Sequence, residues 1–417
     1  MKLLATLILL LLSTKVIFCQ QLFKEYVQQN AAVIKSISND TNYAGFEVLD
    51  KAIGDKRVVM LGEQDHGDAT TFLAKTKIIK YLHEKKGFNV LAFESDFFAL
   101  TQGQQEIMND TTRFRVYMQS NIFPIWPYCD ACSELFYQYL PDAFFSKHPI
   151  TVTGFDNQVH GRYSKNKMRN YLDSVLSKHQ FSIPEFPSVK KQVLNWTDTL
   201  IKNYGRKYGT RSEFKTYDEL MQQIADEWKK NYGHDYNWQL FNSLRAFNNQ
   251  TAVGSEYKRS SGVRDEQMAS NLVWLVNTLY KNEKIIVWAA SEHIMKRSTE
   301  TMKNLYTTMG TNFCQSPENE NQTYILGFTS RTGTAGRITI KNGEYKLRKP
   351  DKDSYENWFD NAAFTFTDFQ PYIKTTTTPE SFKMKGINHL WNGKLQWTKN
   401  FDGIFYIREM RACLPVK

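Results

Sequence analysis

Apolar positions along the chain gather into short β-branched runs, separated by stretches in which they recur at three and four. The run "KRVVMLGE" (Lys56 to Glu63) ends at a glycine, and "GFNVLAFES" follows it. Between them Phe72, Leu73, Thr76, Ile79, Tyr81 and Leu82 are spaced mostly as on one helix, predicted from about Ala69 to Lys86. Strand, helix, strand is the βαβ unit of a parallel sheet. Similar runs recur at "PITVTGFD", "KIIVWAAS" and "TYILGFTS", and their near-continuous apolarity suits strands covered on both faces. The later "GRITIKNGEYKL" alternates around Asn342-Gly343, which predicts an antiparallel hairpin. The interval at about 160–283 reads as helical, for example over Lys190 to Tyr204, Glu213 to Asn231 and Trp238 to Gln250. The expected fold is therefore α/β: a mainly parallel sheet with flanking helices, a helical insertion over the active-site edge, and a late antiparallel hairpin.

At 417 residues and 41% hydrophobic the chain can bury a full core. Its opening "MKLLATLILLLLSTKVIFCQ" has an apolar run too short to span a bilayer, and no second span follows. Residues 1–19 are read as a secretory signal peptide, with 20–417 as the mature domain, exported to the periplasm or secreted. Cys19 offers a lipid anchor as the less favoured option, because "VIF" lacks the small residue expected before a lipidated cysteine. Losing Lys2 and Lys15 lowers the formal charge from +10 to +8. The basic residues are spread along the chain, so nucleic acid is not an expected partner. The remaining cysteines are Cys129, Cys132, Cys314 and Cys413, read as structural: Cys129 and Cys132 are free to pair with each other or with Cys314 and Cys413.

Ligands of open parallel sheets sit beyond the carboxyl ends of the strands. There the first run delivers Glu63 and His66, the second Glu94, the third Asp156, and the fourth His293. His66 beside Glu63 has the makings of a general base held by a carboxylate. Asp65 and Asp68 suit the capping of the following helix. "VRDEQMASNLVWLVNTLY" predicts a helix starting near Arg264, and a cation at a helix start calls for an anionic partner. His83, His148, His160, His179, His234 and His389 lack such context and are read as surface or core residues. No G-x-S-x-G elbow, P-loop or dinucleotide fingerprint occurs.

"LGEQDHG", "GFNVLAFESD", "TGFDNQ", "VRDEQMASNLVWL", "IIVWAASEHI", "YILGFTSRTGT" and "FDGIFYIREMRACLP", in that order, resemble the erythromycin esterase family over roughly Ala44 to Pro415. The resemblance implies a hydrolase in which His66 activates water against an ester or lactone without a required metal or other cofactor. It assigns catalytic positions to His66, Glu63, Glu94, His293 and Arg264, with Lys75, Asp65 and Asp156 expected at the substrate. The chain departs from the family at Lys75, where an arginine is usual, at Thr70, where an acid is usual, and at Ala290-Ser291-Glu292, where an asparagine-bearing stretch is usual. Glu292 would oppose anion stabilisation unless it points away. Two alternatives stand beside the hydrolase: a divalent-metal- or haem-binding exported protein of related fold, and a non-catalytic ligand-binding homologue.

Overall fold

The computed structural model describes residues 22–416, apart from positions 39, 108, 109, 205, 207, 304, 360, 377 and 379. The expected signal peptide and Cys19 lie outside the described residues. The strands are β1 (Ala32–Val33), β2 (Val58–Leu61), β3 (Phe88–Asp96), β4 (Thr151–Asp156), β5 (Lys284–Trp288), β6 (Thr323–Ala335), β7 (Tyr345–Lys346), β8 (Phe364–Asp368), β9 (Phe382–Met384), β10 (Gly393–Leu395) and β11 (Gly403–Met410). One sheet runs in the order β1-β8-β11-β6-β2-β5-β3-β4, with β7 beside β6, while β9 and β10 pair separately. From β11 to β4 the strands are parallel; β8 and β1 add an antiparallel edge.

Both faces of the parallel strands are covered. Val58 and Met60 enter one core with Met268 and Leu272, and Val59 and Leu61 enter the other with Phe72 and Ile78. Period-two alternation is therefore present but invisible in hydropathy, since both sets are apolar. The predicted crossover helix spans Ala69–Lys86 and stops at Gly87, whose left-handed conformation (φ 70°) lets its N–H reach the Leu82 carbonyl. Its burial exceeds what a one-sided apolar stripe implies: Lys75, Lys77 and Lys80 are buried as well.

Between β4 and β5 lie the expected helices, Arg162–Lys178, Phe186–Lys202, Arg211–Tyr232, Tyr236–Val253 and Tyr257–Trp274. The first four enclose a core of their own around Met168, Val193, Ile224, Trp228 and Phe241. The last returns to the sheet. It begins at Tyr257, so the helix start expected near Arg264 is displaced by about two turns. Tyr257 and Lys258 supply that earlier beginning without an apolar stripe to announce it.

The late hairpin is formed by β6 and β7, with Asn342 at φ 54° in its loop. Its first arm is the end of β6, and Ile338 and Ile340 fall within the loop. The loop bends over the residues after β2, where a Cβ on Gly67 would lie 2.2 Å from the Gly336 carbonyl carbon. A second close approach shapes β3. Its register with β4 slips between Phe93 and Asp96, placing Glu94 in a bulge, and a Cβ on Gly154 would meet the Ser95 carbonyl at 2.5 Å.

Cys129 and Cys413 form a disulfide across 284 residues, leaving Cys132 and Cys314 as buried free thiols. It fastens the chain end to two loops: Asp130 N–H donates to Leu414 (2.8 Å), Ala69 N–H to Arg411 (2.9 Å) and Cys413 N–H to Gly67 (3.1 Å). Removing the bond by Cys413→Ser is expected to lower stability by about 2–4 kcal/mol. Thermal melts with and without a dithiol reductant check this: reduction should lower the melting temperature of the unmodified protein and leave the variant unchanged.

Candidate active site

Four adjacent strands, β2, β5, β3 and β4, end on one edge, and the side chains just beyond them meet there. Glu63 leaves β2 fully buried. Its Oε1 receives His66 Nδ1 at 2.8 Å and Trp126 Nε1 at 2.9 Å; its Oε2 receives Lys75 Nζ at 2.5 Å. Lys75, also fully buried, lies 4.1 Å from the centre of the Trp288 ring. Burial pushes the Lys75 ammonium pKa down against the pull of Glu63. His66 keeps 18% of its side chain exposed, and its Nε2 makes no hydrogen bond among the described residues. With Nδ1–H donated to a carboxylate, the lone pair of the neutral ring lies on that free Nε2.

The second group centres on Arg264. Its Nη2 lies 2.7 Å from Glu94 Oε1 and 2.6 Å from Asp156 Oδ2. The predicted need for anionic partners is met, but two turns inside a helix, so the helix-start argument is not what produces it. His293 Nδ1 lies 2.7 Å from Asp265 Oδ1, and its Nε2 lies 3.3 Å from Glu94 Oε1. Backbone donors complete the set: Ala290 N–H to Glu94 Oε2 and Met309 N–H to Asp265 Oδ2. Burial opposes the His293 cation, yet Asp265 and Glu94 outweigh it and push its pKa up to about 9. Burial would raise the Glu94 carboxyl too, but His293 and Arg264 hold it well below the usual carboxylate range. Ala290 and Ser291 join the two groups into one site, since the Ala290 N–H reaches Glu94 Oε2 at 2.9 Å and the Ser291 N–H reaches the Glu63 carbonyl at 2.8 Å.

Asp65 is turned outward, onto Arg337 Nε (2.9 Å) and the Tyr345 hydroxyl (3.0 Å). Its carboxylate ties down the hairpin loop. Asp156 is engaged by Arg264, and Glu292 accepts from the Tyr257 and Tyr306 hydroxyls at 2.9 Å each, which directs its charge to a tyrosine pair. Asp68 caps nothing through its side chain; its carboxylate is buried against His389 at 2.6 Å. His389 is thus part of a buried polar chain beside the motif. His160 bonds Ser95 Oγ through Nε2 at 3.1 Å, and burial, with Lys165 and Arg264 nearby, lowers its pKa to about 3. Trp126 and Asp265 carry no signal of their own in the sequence: a tryptophan reads as core, and Asp265 reads as a polar position of a helical run, so only their contacts with Glu63 and His293 reveal them. Open clefts of about 320 and 480 Å³ lie elsewhere, along helices Thr111–Asn121 and Phe186–Lys202, and neither is lined by these residues.

A model of the erythromycin esterase family matches residues 83–410. The chain belongs to the erythromycin esterase family. YbfO of Bacillus subtilis (strain 168), provisionally named a hydrolase, is 28% identical over 357 residues, covering 79% of this chain and 76% of its own. Erythromycin esterase type II of Escherichia coli is 23% identical over 440 residues, covering 93% and 97%. Among solved structures, a succinoglycan biosynthesis protein superposes with a TM-score of 0.72 at 19% identity, covering 94% of this chain and 98% of its own. A histidine-to-asparagine mutant of the erythromycin esterase EreC, in its open conformation, gives 0.63 at 15% identity, covering 91% and 97%. These likenesses confirm the fold, and the family makes the protein a hydrolase. Lys75 gives Glu63 one short contact while lying over Trp288, a cation–π placement in a pocket closed to water.

The raised His293 pKa fixes the sign of a pH effect. Its contribution to stability is fully present below the ordinary histidine value of 6.5 and is lost as pH rises through about 9. Denaturation midpoints between pH 6 and 10 should therefore fall on the alkaline side for the unmodified protein. His293→Asn should lack that component.

Proposed function

We propose that this erythromycin esterase family member is a metal-independent hydrolase of small-molecule esters or lactones, with His66 as general base. The observation that carries the proposal is the Glu63–His66 pair, whose Nδ1 contact leaves Nε2 free on a partly exposed ring. A water held at Nε2 would give up its proton there while attacking the carbonyl carbon. The resulting imidazolium is stabilised by Glu63.

His293 supplies the complementary role. Held cationic by Asp265 and Glu94, it can donate a proton to the departing alkoxide or, with Arg264, place positive charge beside the developing oxyanion. Environments that separate two histidines, one free to accept and one kept charged, suit opposite acid and base tasks. Glu94 binds both cations and holds them at the strand edge. The reading assigns no step to a metal, since each carboxylate of the site is already engaged by Lys75, Arg264 or His293.

Export belongs to the same proposal. The leader and the Cys129–Cys413 disulfide both suit an oxidising compartment, periplasmic or extracellular. A soluble mature form is favoured over a lipid anchor at Cys19.

Mass spectrometry of a macrolide and a panel of simple esters, incubated with the mature protein, tests the activity. One substrate is expected to gain the mass of one water, His66→Ala should abolish that gain, and a chelator should leave it unchanged. Turnover by folded His66→Ala equal to that of the unmodified protein would contradict the assignment.

A further inference from the structure

Beneath the loop that carries His66, three side chains shielded completely from solvent form a Ser–His–Asp series. His389 Nε2 lies 2.6 Å from Asp68 Oδ1, and His389 Nδ1 lies 3.2 Å from Ser330 Oγ. Ser330 Oγ donates to Gln64 Oε1 at 3.1 Å, and the Gln64 amide donates to the Lys385 carbonyl. The other Asp68 oxygen accepts the Asp65 N–H at 3.0 Å. When Ser330 donates to Gln64, His389 Nδ1 is the donor to Ser330 Oγ, and Nε2 and the Asp68 carboxyl share one proton between them. Ser330 has no exposed surface, and its proton is directed away from His389. The series is therefore no nucleophilic triad, despite its composition.

Its position in the chain suggests another task. Gln64 and Asp68 sit two residues to either side of His66, and both end on this one relay. Ser330 comes from β6 and His389 from the segment between β9 and β10, both remote from the motif in sequence. From the outer side the same loop is held by Asp65 against Arg337 and Tyr345. The inner relay meets this backbone from below at two points, the Gln64 side chain and the Asp65 N–H on Asp68 Oδ2. Every polar atom in a buried network of this kind needs its partner, so loss of one link shifts the others.

We propose that His389 is a positioning residue for the Glu63–His66 pair, acting through Asp68 on one side and through Ser330 and Gln64 on the other. The inference rests on the hydrolase reading for its kinetic consequence, but its geometric content concerns the His66 ring alone.

The test uses the full mature protein with Ser330→Ala, Asp68→Asn and His389→Gln. Thr329→Val serves as the control, because Thr329 is a fully buried neighbour on the same strand that bonds Glu356 instead (2.5 Å). Two readouts are taken on variants whose melting shows a cooperative fold. In ¹⁵N-histidine-labelled protein, the His66 ring nitrogens are expected to change shift and tautomer balance in the three relay variants and to match the unmodified protein in Thr329→Val. On whichever ester the protein hydrolyses, kcat is expected to fall roughly 10- to 100-fold in the relay variants with KM held within about twofold. If His389→Gln and Asp68→Asn fail to fold, Ser330→Ala, which removes a single hydroxyl, decides alone. Unchanged His66 signals in a folded relay variant would overturn the proposal, as would an equal change in Thr329→Val. If no ester is hydrolysed the functional reading fails, while the ring signals still decide the relay.

Discussion

A carboxylate taken wholly out of water carries a penalty of several kcal/mol unless cations and hydrogen-bond donors replace its solvent. Glu63 is in that position, and the architecture around it is arranged to supply those partners. Lys75 comes from the second turn of the crossover helix, His66 from the loop before it, and Trp126 from a segment remote in sequence. Each must be held in place for the others to be tolerated. The helix fixes Lys75, the Cys129–Cys413 bond ties the Trp126 segment to the chain end, and that end is in turn bonded to Gly67 and Ala69. One buried charge thus links the parallel sheet, the crossover helix and the C-terminus into a single mechanical unit.

The Arg264 group follows the same logic with more charges. Glu94, Asp156 and Asp265 face Arg264 and His293, and the carboxylates outnumber the cations. That excess raises the His293 pKa and gives Arg264 two carboxylate partners. It also separates the two histidines electrically: His66 has a single carboxylate shared with Lys75, whereas His293 has Asp265 and, beside it, the Glu94 it shares with Arg264. In the proposed reaction this asymmetry, more than any one contact, distinguishes base from acid. The helical insertion contributes directly, since its returning helix brings both Arg264 and Asp265 to the sheet edge.

Much of this was legible in the chain. β2 to β6 announced themselves as apolar runs, and the strand-end rule then placed Glu63, His66, Glu94, Asp156 and His293 on one edge. Arg264 calls for an anionic partner from sequence alone and meets Glu94 and Asp156, although its helix begins at Tyr257. What sequence could not reveal depends on distant contacts. Trp126 reads as an ordinary core residue until its N–H is seen on Glu63. His389 and Ser330 lie far from the motif, and only the folded sheet brings them beneath it. Asp65 looked like part of the chemistry because it neighbours His66, but successive residues in a loop can face opposite ways, and its partners are Arg337 and Tyr345. The hairpin arms shifted for a similar reason, since the close crossing of Gly67 and Gly336 outweighs local alternation.

The central claim is that Glu63 and His66 act as one unit. A double-mutant cycle measures this most directly, comparing kcat/KM for ester hydrolysis by Glu63→Gln, His66→Ala and the double variant. The account predicts that each single change removes nearly all activity and that combining them adds almost nothing. Independent, additive losses would contradict it, because they would place Glu63 outside the proton-transfer step and reduce it to a buried structural charge.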